Sequence, residues 1–163
     1  MNDLENQLRQ SLQRSHHLAP TTAVVTRGTP VAVAPMSVGE HLLYRDLSHA
    51  IVGAAIEVHR HLGPGQLEST YQRSLEYELE LRELPFRAQV PVAATYKGRE
   101  TGEFFVDLIV DDKVVIELKA VTALMQVHRA QVISYLRATR LRLGLLINFH
   151  VPVLYKGVTR VIL

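Results

Sequence analysis

Three ionisable side chains interrupt two short segments that otherwise read as buried β-strands. Asp107 lies within GEFFVDLIV, and Glu117 and Lys119 lie within KVVIELKAV, with the turn signal DDK between the two apolar runs. β-Branched residues are frequent in both runs, which is typical of strands in a protein core. Because unpaired charge is expensive to bury, we expect these side chains to face one another or a bound ion.

The DDK turn predicts how the two segments pair. In a three-residue hairpin loop, Val110 faces Val114. Counting back then places Asp107 opposite Glu117, with their Cβ atoms about 5 Å apart. Alternation along the strand puts Lys119 on the same face as Glu117. The apolar residues expected to share the charged face, and so to cover it, are Phe105, Ile109, Val115 and Val121. The residues expected on a wholly apolar opposite face are Val106, Leu108, Val110, Val114, Ile116 and Leu118.

A metal site is one way to balance the charges of this trio. Two facing carboxylates repel unless one takes a proton or a cation joins them, and an all-oxygen pair suits Mg²⁺ or Mn²⁺ better than zinc. Lys119 beside such an ion could orient an attacking water or stabilise an oxyanion on phosphorus, which is phosphodiester hydrolysis. The alternative is a buried salt bridge between Lys119 and one carboxylate, with the other in water at the sheet edge. The spacing of these residues is consistent with both the metal site and the salt bridge.

Polar side chains also lie beside the apolar stripes of the predicted helices. In QVHRAQVISYLRATR, His128, Gln131 and Tyr135 fall on the buried side, although His128 and Tyr135 could simply pack there with their polar atoms satisfied. Glu68 adjoins the stripe of an earlier helix, where it could complement the helix dipole or ligate a metal. Two residues of the first helix are expected at its surface: Glu57 and His59.

The predicted elements follow the order ααβββαβ(β). Helical spacing runs from about Leu42 to Leu62, where GPG stops it, and Pro85 ends the second helix. Three strands form a meander, and the apolar run LRLGLLINF suits a buried strand. Residues 1–40, rich in prolines and small residues towards their end, are expected to form a flexible or partner-docked arm, and residues 41–163 to form the folded domain.

The composition narrows the class of protein. Of 163 residues, 47% are hydrophobic and 21% charged, as in ordinary globular domains, and a net charge of +2 permits a polyanionic partner without requiring one. Cysteine is absent, which excludes thiol nucleophiles and zinc–thiolate sites and makes a reducing cytoplasm the expected location. No apolar run reaches the ~18 residues of a membrane helix, so no membrane partner is expected.

Together these residues resemble a known family. GPGQLESTY contains Gly65, Glu68 and Tyr71 in the pattern GxxExxY, and the chain resembles the GxxExxY protein family, a branch of the PD-(D/E)xK nuclease superfamily. The resemblance runs from about Leu42 to Leu163, and the N-terminal arm has no counterpart in the family. It includes AIEVHRHLGPG, the acid Asp107, the ELK of residues 117–119, QVISY and GLLINF. Valine rather than proline precedes the acid, which matters little because the proline has no chemical role.

The resemblance implies an α/β fold with a restriction-endonuclease-like core, in which a mixed β-sheet is flanked by helices. The ligands that it implies for Mg²⁺ or Mn²⁺ are Asp107, Glu117 and Glu68. It further implies that Lys119 positions the attacking water. Gln131 and Tyr135 resemble the QxxxY element of related nucleases, where these residues lie at the DNA-facing edge of the site.

Two functions of different classes are consistent with these residues. The first is an Mg²⁺-dependent nuclease that hydrolyses DNA, in DNA repair or in defence against foreign DNA, and the complete trio favours it. The second is a non-catalytic nucleic-acid-binding or assembly module that keeps the fold, which the small size and weak basicity favour. DNA is the expected partner in the first case, and a homodimer would suit a short domain that grips a duplex. The residues expected to meet the phosphate backbone are Arg129, Arg137, Arg140 and Arg142.

Overall fold

The structure, a computed structural model, describes residues 38–163. The arm predicted over residues 1–40 lies outside the described residues except for its last three positions. The helices are α1 (Val38–Leu62), α2 (Glu68–Leu81) and α3 (Gln126–Thr139). The strands are β1 (Phe86–Tyr96), β2 (Arg99–Val110), β3 (Val114–Lys119), β4 (Leu143–Asn148) and β5 (Val158–Ile162), and a 3₁₀ turn spans Leu154–Gly157. The element order predicted from the sequence is confirmed, with the last strand present.

The five strands form one mixed sheet in the order β1-β2-β3-β4-β5. All neighbouring pairs are antiparallel except β3 and β4, which run parallel. A parallel pair needs a crossover connection, and α3 supplies it between β3 and β4. The central position of β3 explains why its segment is so apolar, since neighbours cover it on both edges and helices on both faces.

Helices cover the two faces of the sheet and enclose two apolar cores. On one face, α1 and α2 bury residues such as Ile51, Ala55 and Leu75 against Leu108, Ile116 and Leu118. On the other face, α3 buries Val132, Tyr135 and Leu136 against Val106, Ile109, Val115 and Leu146. Glu117 lies on β3 between these two layers, so its environment is set by the core and not by solvent.

The sheet forks at the hairpin between β2 and β3. The two strands pair through Val110–Val114, Ile109–Val115 and Leu108–Ile116, which confirms the predicted register. Beyond the last pair, β2 continues only beside β1 as a two-stranded ribbon, while β3 continues beside β4. Asp107 and Glu117 are the first residues past this fork.

Side-chain alternation fails on β2 at Asp107. Val106, expected on the same face as Leu108, packs in the core beneath α3, whereas Leu108 packs in the core beneath α1 and α2. The β1–β2 ladder skips one position between the pairs Ala88–Leu108 and Val90–Val106. Because of this irregularity, the side chains beyond it on both strands point to the face opposite the one that regular alternation predicts. Phe105, expected to cover the charged face, is 50% exposed as a result.

The surface position predicted for His59 is wrong. The residue is 9% exposed, and its Nε2 lies 2.8 Å from the carbonyl oxygen of Val151. The segment before the 3₁₀ turn lies over this end of α1, a contact between residues distant in sequence that helical periodicity does not reveal. Across residues 38–163, none of the helices has both the length and the apolar character needed to span a membrane.

Candidate active site

Glu117 and Lys119 form an ion pair at the fork of the sheet. They lie two positions apart on β3 and therefore on one face, and Nζ of Lys119 donates to Oε1 of Glu117 over 2.5 Å. The side chain of Glu117 is 2% exposed, and that of Lys119 is 14% exposed. Within the described part of the chain, Oε2 of Glu117 is buried and has no hydrogen-bond partner. One oxygen of the acid is thus available to a further ligand.

The electrostatics of this pair reflect its burial and the acids around it. The pKa of Glu117 is raised from 4.5 to about 7, first by burial and then by the charge of Asp107, while the hydrogen bond from Lys119 acts in the opposite direction. Burial by itself would lower the pKa of Lys119. That pKa is nevertheless raised, because Glu117 accepts a hydrogen bond from the Lys119 ammonium and because the charges of Glu117, Glu68 and Asp107 favour the cation. Lys119 therefore stays charged at neutral pH, where Glu117 is close to its midpoint.

Asp107 lies at the point where β2 separates from β3, directly after the last residue pair of their ladder. Extending the register by one residue places it opposite Glu117. Its Oδ2 accepts the backbone N–H of Leu118 over 2.9 Å, in place of the ladder carbonyl that the fork removes. Its Oδ1 accepts from Nε2 of Gln89 over 3.3 Å. Both oxygens keep lone pairs free for a further partner, since an ionised carboxylate accepts about four hydrogen bonds.

The GPGQLESTY segment brings Glu68 to the same site. Gly65 has φ +102° in the turn before α2, a conformation that favours glycine. The Tyr71 hydroxyl donates to the carbonyl of Gly63 over 2.6 Å and accepts the N–H of Gln66 over 3.1 Å, which ties the loop to the helix. Glu68, the first residue of α2, lies with Oε1 4.0 Å from Nζ of Lys119 and is 44% exposed. Its position suits both predicted roles, since it faces the site and also complements the helix dipole.

Gln131 and Tyr135 form a hydrogen-bonded pair on α3. Nε2 of Gln131 donates to the Tyr135 hydroxyl over 2.5 Å, and the Tyr135 ring stacks on Phe104 with centroids 4.9 Å apart. Burial raises the pKa of Tyr135, the hydrogen bond from Gln131 opposes this, and the charges of Glu117 and Asp107 raise the pKa further. The tyrosine hydroxyl is therefore within electrostatic reach of the carboxylates.

The comparisons with known proteins agree with this geometry. A family model described as the PD-(D/E)XK nuclease superfamily matches residues 45–161. This chain belongs to the PD-(D/E)XK nuclease superfamily. Members of the superfamily are generally nucleases, and the five-stranded mixed sheet with flanking helices is consistent with its restriction-endonuclease-like fold. The chain gave no match among curated proteins or among solved structures.

Nucleases of the PD-(D/E)XK superfamily usually use divalent metal ions, and the oxygen donors at this fork fit such an ion. The buried, unpaired Oε2 of Glu117 and the carboxylate of Asp107 provide hard ligands of the kind that Mg²⁺ and Mn²⁺ prefer. In residues 38–163, however, no three His, Asp or Glu side chains are grouped closely enough to hold a metal. The Lys119 ammonium instead contacts Glu117 and Glu68. The ion pair between Lys119 and one carboxylate, considered from the sequence as the alternative, is thus present in this structure, while the other carboxylate, Asp107, is partly buried and hydrogen-bonded.

The four arginines predicted to meet nucleic acid differ in their surroundings. Arg129, Arg137 and Arg140 are exposed, whereas Arg142 is partly buried and donates from Nε to the carbonyl of Leu163 over 3.3 Å. Because residues advance by about 100° around an α-helix, Arg137 lies about 120° and Arg129 about 160° from Gln131. Arg129 and Arg137 therefore lie across the width of α3 from the Gln131 side chain.

Three residues of this superfamily domain that the sequence did not single out support the site. Oδ1 of Asn148 accepts the N–H groups of Val121 and His150, and its Nδ2 donates to the carbonyl of Val121 over 2.7 Å. These hydrogen bonds hold the backbone in place where the chain leaves β3 after Lys119. The feature of the sequence that could have indicated Asn148 is that it is a single asparagine at the end of the apolar run GLLIN. Two glutamines, Gln72 and Gln89, contact each other beside Asp107, and no local pattern in the sequence indicated them.

Proposed function

We propose that this protein is an Mg²⁺- or Mn²⁺-dependent nuclease that hydrolyses phosphodiester bonds in DNA. The observation that carries the proposal is the buried Oε2 of Glu117, which has no hydrogen-bond partner in the described chain and lies at the fork opposite Asp107. An orphaned buried carboxylate oxygen is costly in a purely structural ion pair, because it loses water without gaining a donor. A divalent cation would supply the missing partner.

Asp107, Glu117 and Glu68 would hold the ion after their side chains move closer together, since in this structure the three are not grouped tightly enough to do so. When bound, Mg²⁺ or Mn²⁺ supplies a Lewis acid for the phosphate and lowers the pKa of a coordinated water. Glu117 must be ionised to act as a ligand, so the raised pKa makes metal binding weaken as the pH falls below about 7. Lys119 stays cationic in this site and stabilises negative charge that develops on the phosphate oxygens.

The loop that carries Glu68 supports assignment to the GxxExxY branch of the superfamily. Gly65 lies in the turn before α2, Tyr71 anchors the loop through its hydroxyl, and Glu68 projects toward Lys119. Each position of the motif thus has a physical role in placing one acid beside the site. This assignment also supports Glu68 as a ligand rather than a helix cap alone.

DNA as the substrate is supported by polar groups beside the site and by exposed arginines on another side of α3. The charges of Glu117 and Asp107 act on Tyr135, which is hydrogen-bonded to Gln131, and Arg129 and Arg137 are exposed on the same helix. Phosphate contacts by arginine give affinity without base specificity. DNA repair and defence against foreign DNA are the settings in which such an enzyme would act.

The decisive experiment separates binding from chemistry at Lys119. Lys119→Ala removes the cation but none of the carboxylates, so at alkaline pH, where Glu117 is ionised without help from Lys119, Mn²⁺ and DNA should still bind while cleavage falls by roughly a hundredfold or more, the scale of losing one preorganised transition-state contact. The matched control is Lys113→Ala in the nearby hairpin loop, where Lys113 pairs with Asp111. Cleavage of linear, circular and single-stranded DNA and of RNA would be measured with Mg²⁺, with Mn²⁺ and with chelator.

A non-catalytic nucleic-acid-binding or assembly module is the second candidate. The Lys119–Glu117 ion pair favours it, because it neutralises one acid of the site without a metal. This candidate predicts that the wild-type protein binds DNA, cleaves none of the tested nucleic acids in either metal, and is unaffected by Lys119→Ala. That set of results would replace the nuclease proposal.

A further inference from the structure

Gln89 has an unusual backbone conformation next to the site. Its φ is +47° in the interior of β1, a left-handed conformation that non-glycine residues rarely adopt in a strand. The β1–β2 ladder skips the position that Gln89 and Asp107 would share. Strained conformations of this kind persist only where surrounding contacts hold them, and they are frequent at functional sites.

The side chain of Gln89 joins α2 to Asp107. Its Nε2 donates to Oε1 of Gln72 over 2.9 Å and to Oδ1 of Asp107 over 3.3 Å. Gln72 in turn donates from Nε2 to Oε1 of Glu76 over 2.9 Å. A hydrogen-bonded chain therefore runs from an acid on α2, through two amides, to the acid at the fork.

The acids at the two ends of this hydrogen-bonded chain determine which group donates and which accepts at each link. An ionised Glu76 can only accept, so the NH₂ group of Gln72 must face it and the Gln72 carbonyl must face Gln89. Gln89 then has to present its own NH₂ group to Gln72, and the second N–H of that group is left for Asp107. Asp107 is therefore the acceptor in its hydrogen bond with Gln89.

We propose that Gln89, oriented by Gln72 and Glu76, is a positioning residue that holds the Asp107 carboxylate in its ligating orientation. The inference rests on the proposed function, because it takes Asp107 as a metal ligand. Leu118 donates to Oδ2 and Gln89 to Oδ1, so the carboxylate has one donor on each oxygen and cannot rotate without losing both. Polar partners of this kind, which orient a ligand without touching the metal, typically contribute about tenfold to a hundredfold to metal affinity.

The test compares two substitutions at Gln89. Gln89→Gly removes the donor but suits the left-handed backbone, whereas Gln89→Leu removes the donor and keeps the strain. Both variants should bind Mn²⁺ about tenfold more weakly in calorimetry, and Gln89→Gly should keep the wild-type melting temperature or exceed it. Lys97→Gly, at φ +50° in the β1–β2 turn, is the matched control for adding a glycine at a left-handed position, and it should leave Mn²⁺ affinity unchanged.

A second measurement does not depend on metal. In the metal-free protein, looser orientation of Asp107 should weaken its bond to the Leu118 N–H, so hydrogen exchange of that amide should become several-fold faster in both variants. Wild-type Mn²⁺ affinity together with wild-type exchange of Leu118 in Gln89→Gly would overturn the inference. If the wild-type protein binds no Mn²⁺, the proposed function fails, and the exchange rate of Leu118 alone decides whether Gln89 orients Asp107.

Discussion

Replacing Glu117 by glutamine should stabilise the metal-free protein at neutral and alkaline pH. Glu117 is almost fully buried, and burial with the nearby Asp107 charge raises its pKa from 4.5 to about 7. A raised carboxyl pKa means that the folded state prefers the protonated acid. The stability from this preference is therefore fully present below pH 4.5 and is lost as the pH rises through 7. Glutamine keeps an oxygen for Lys119 but cannot ionise.

The size of the effect follows from the pKa difference. Each pKa unit corresponds to about 1.4 kcal/mol, so the wild-type protein should lose about 3 kcal/mol of unfolding free energy through this one group as the pH rises from 4.5 to above 7. Glu117→Gln should lack that loss. The value is an upper bound for the gain in stability, because the variant also gives up the charge–charge attraction between Lys119 and Glu117.

The assay is urea unfolding followed by circular dichroism, in chelator, across a pH series from below 4.5 to above 7. The difference in unfolding free energy between wild type and Glu117→Gln isolates the site around this group, since ionisable residues away from the site contribute equally to both proteins. Glu103→Gln, an exposed acid on β2, is the matched control and should follow the wild-type curve. Parallel pH curves for wild type and Glu117→Gln would refute the reasoning, because they would show that Glu117 keeps an ordinary pKa in the fold.

Two further expectations concern the metal and the nucleic acid. Mg²⁺ or Mn²⁺ should raise the melting temperature of the wild-type protein and leave that of Glu117→Gln unchanged, since an ion that binds only the folded state stabilises it; equal shifts in both proteins would place the metal elsewhere. The double variant Arg129→Ala, Arg137→Ala should bind DNA more weakly, and the slope of log K against log salt should flatten by about one per lost phosphate contact. An unchanged slope would show that bound DNA does not contact the side of α3 that carries these two arginines.

Local sequence determined the elements and the core of the site. The register of the β2–β3 hairpin follows from the three-residue turn and from strand alternation near it, so the pairing of residues 108–110 with residues 114–116 could be predicted without a structure, and Asp107 and Glu117 are the next residues along. The first helix ends at Leu62, directly before GPG, the second ends at Leu81, four residues before Pro85, and the β3–α3–β4 order calls for a parallel crossover. In each case residues close in sequence carry the information.

Tertiary structure decided which partners those residues meet. The skipped position at Gln89, the face exchange of Val106 and the burial of His59 depend on contacts with α2, α3 and the segment at Val151, all distant along the chain. Alternation and periodicity describe one element at a time and assume that it is regular. The orientation of Asp107 depends on the packing of β1, α2 and β3 in the folded protein. Hydrogen bonds from β1 and β3 replace the ladder that the fork removes, so the sequence alone could not predict this orientation.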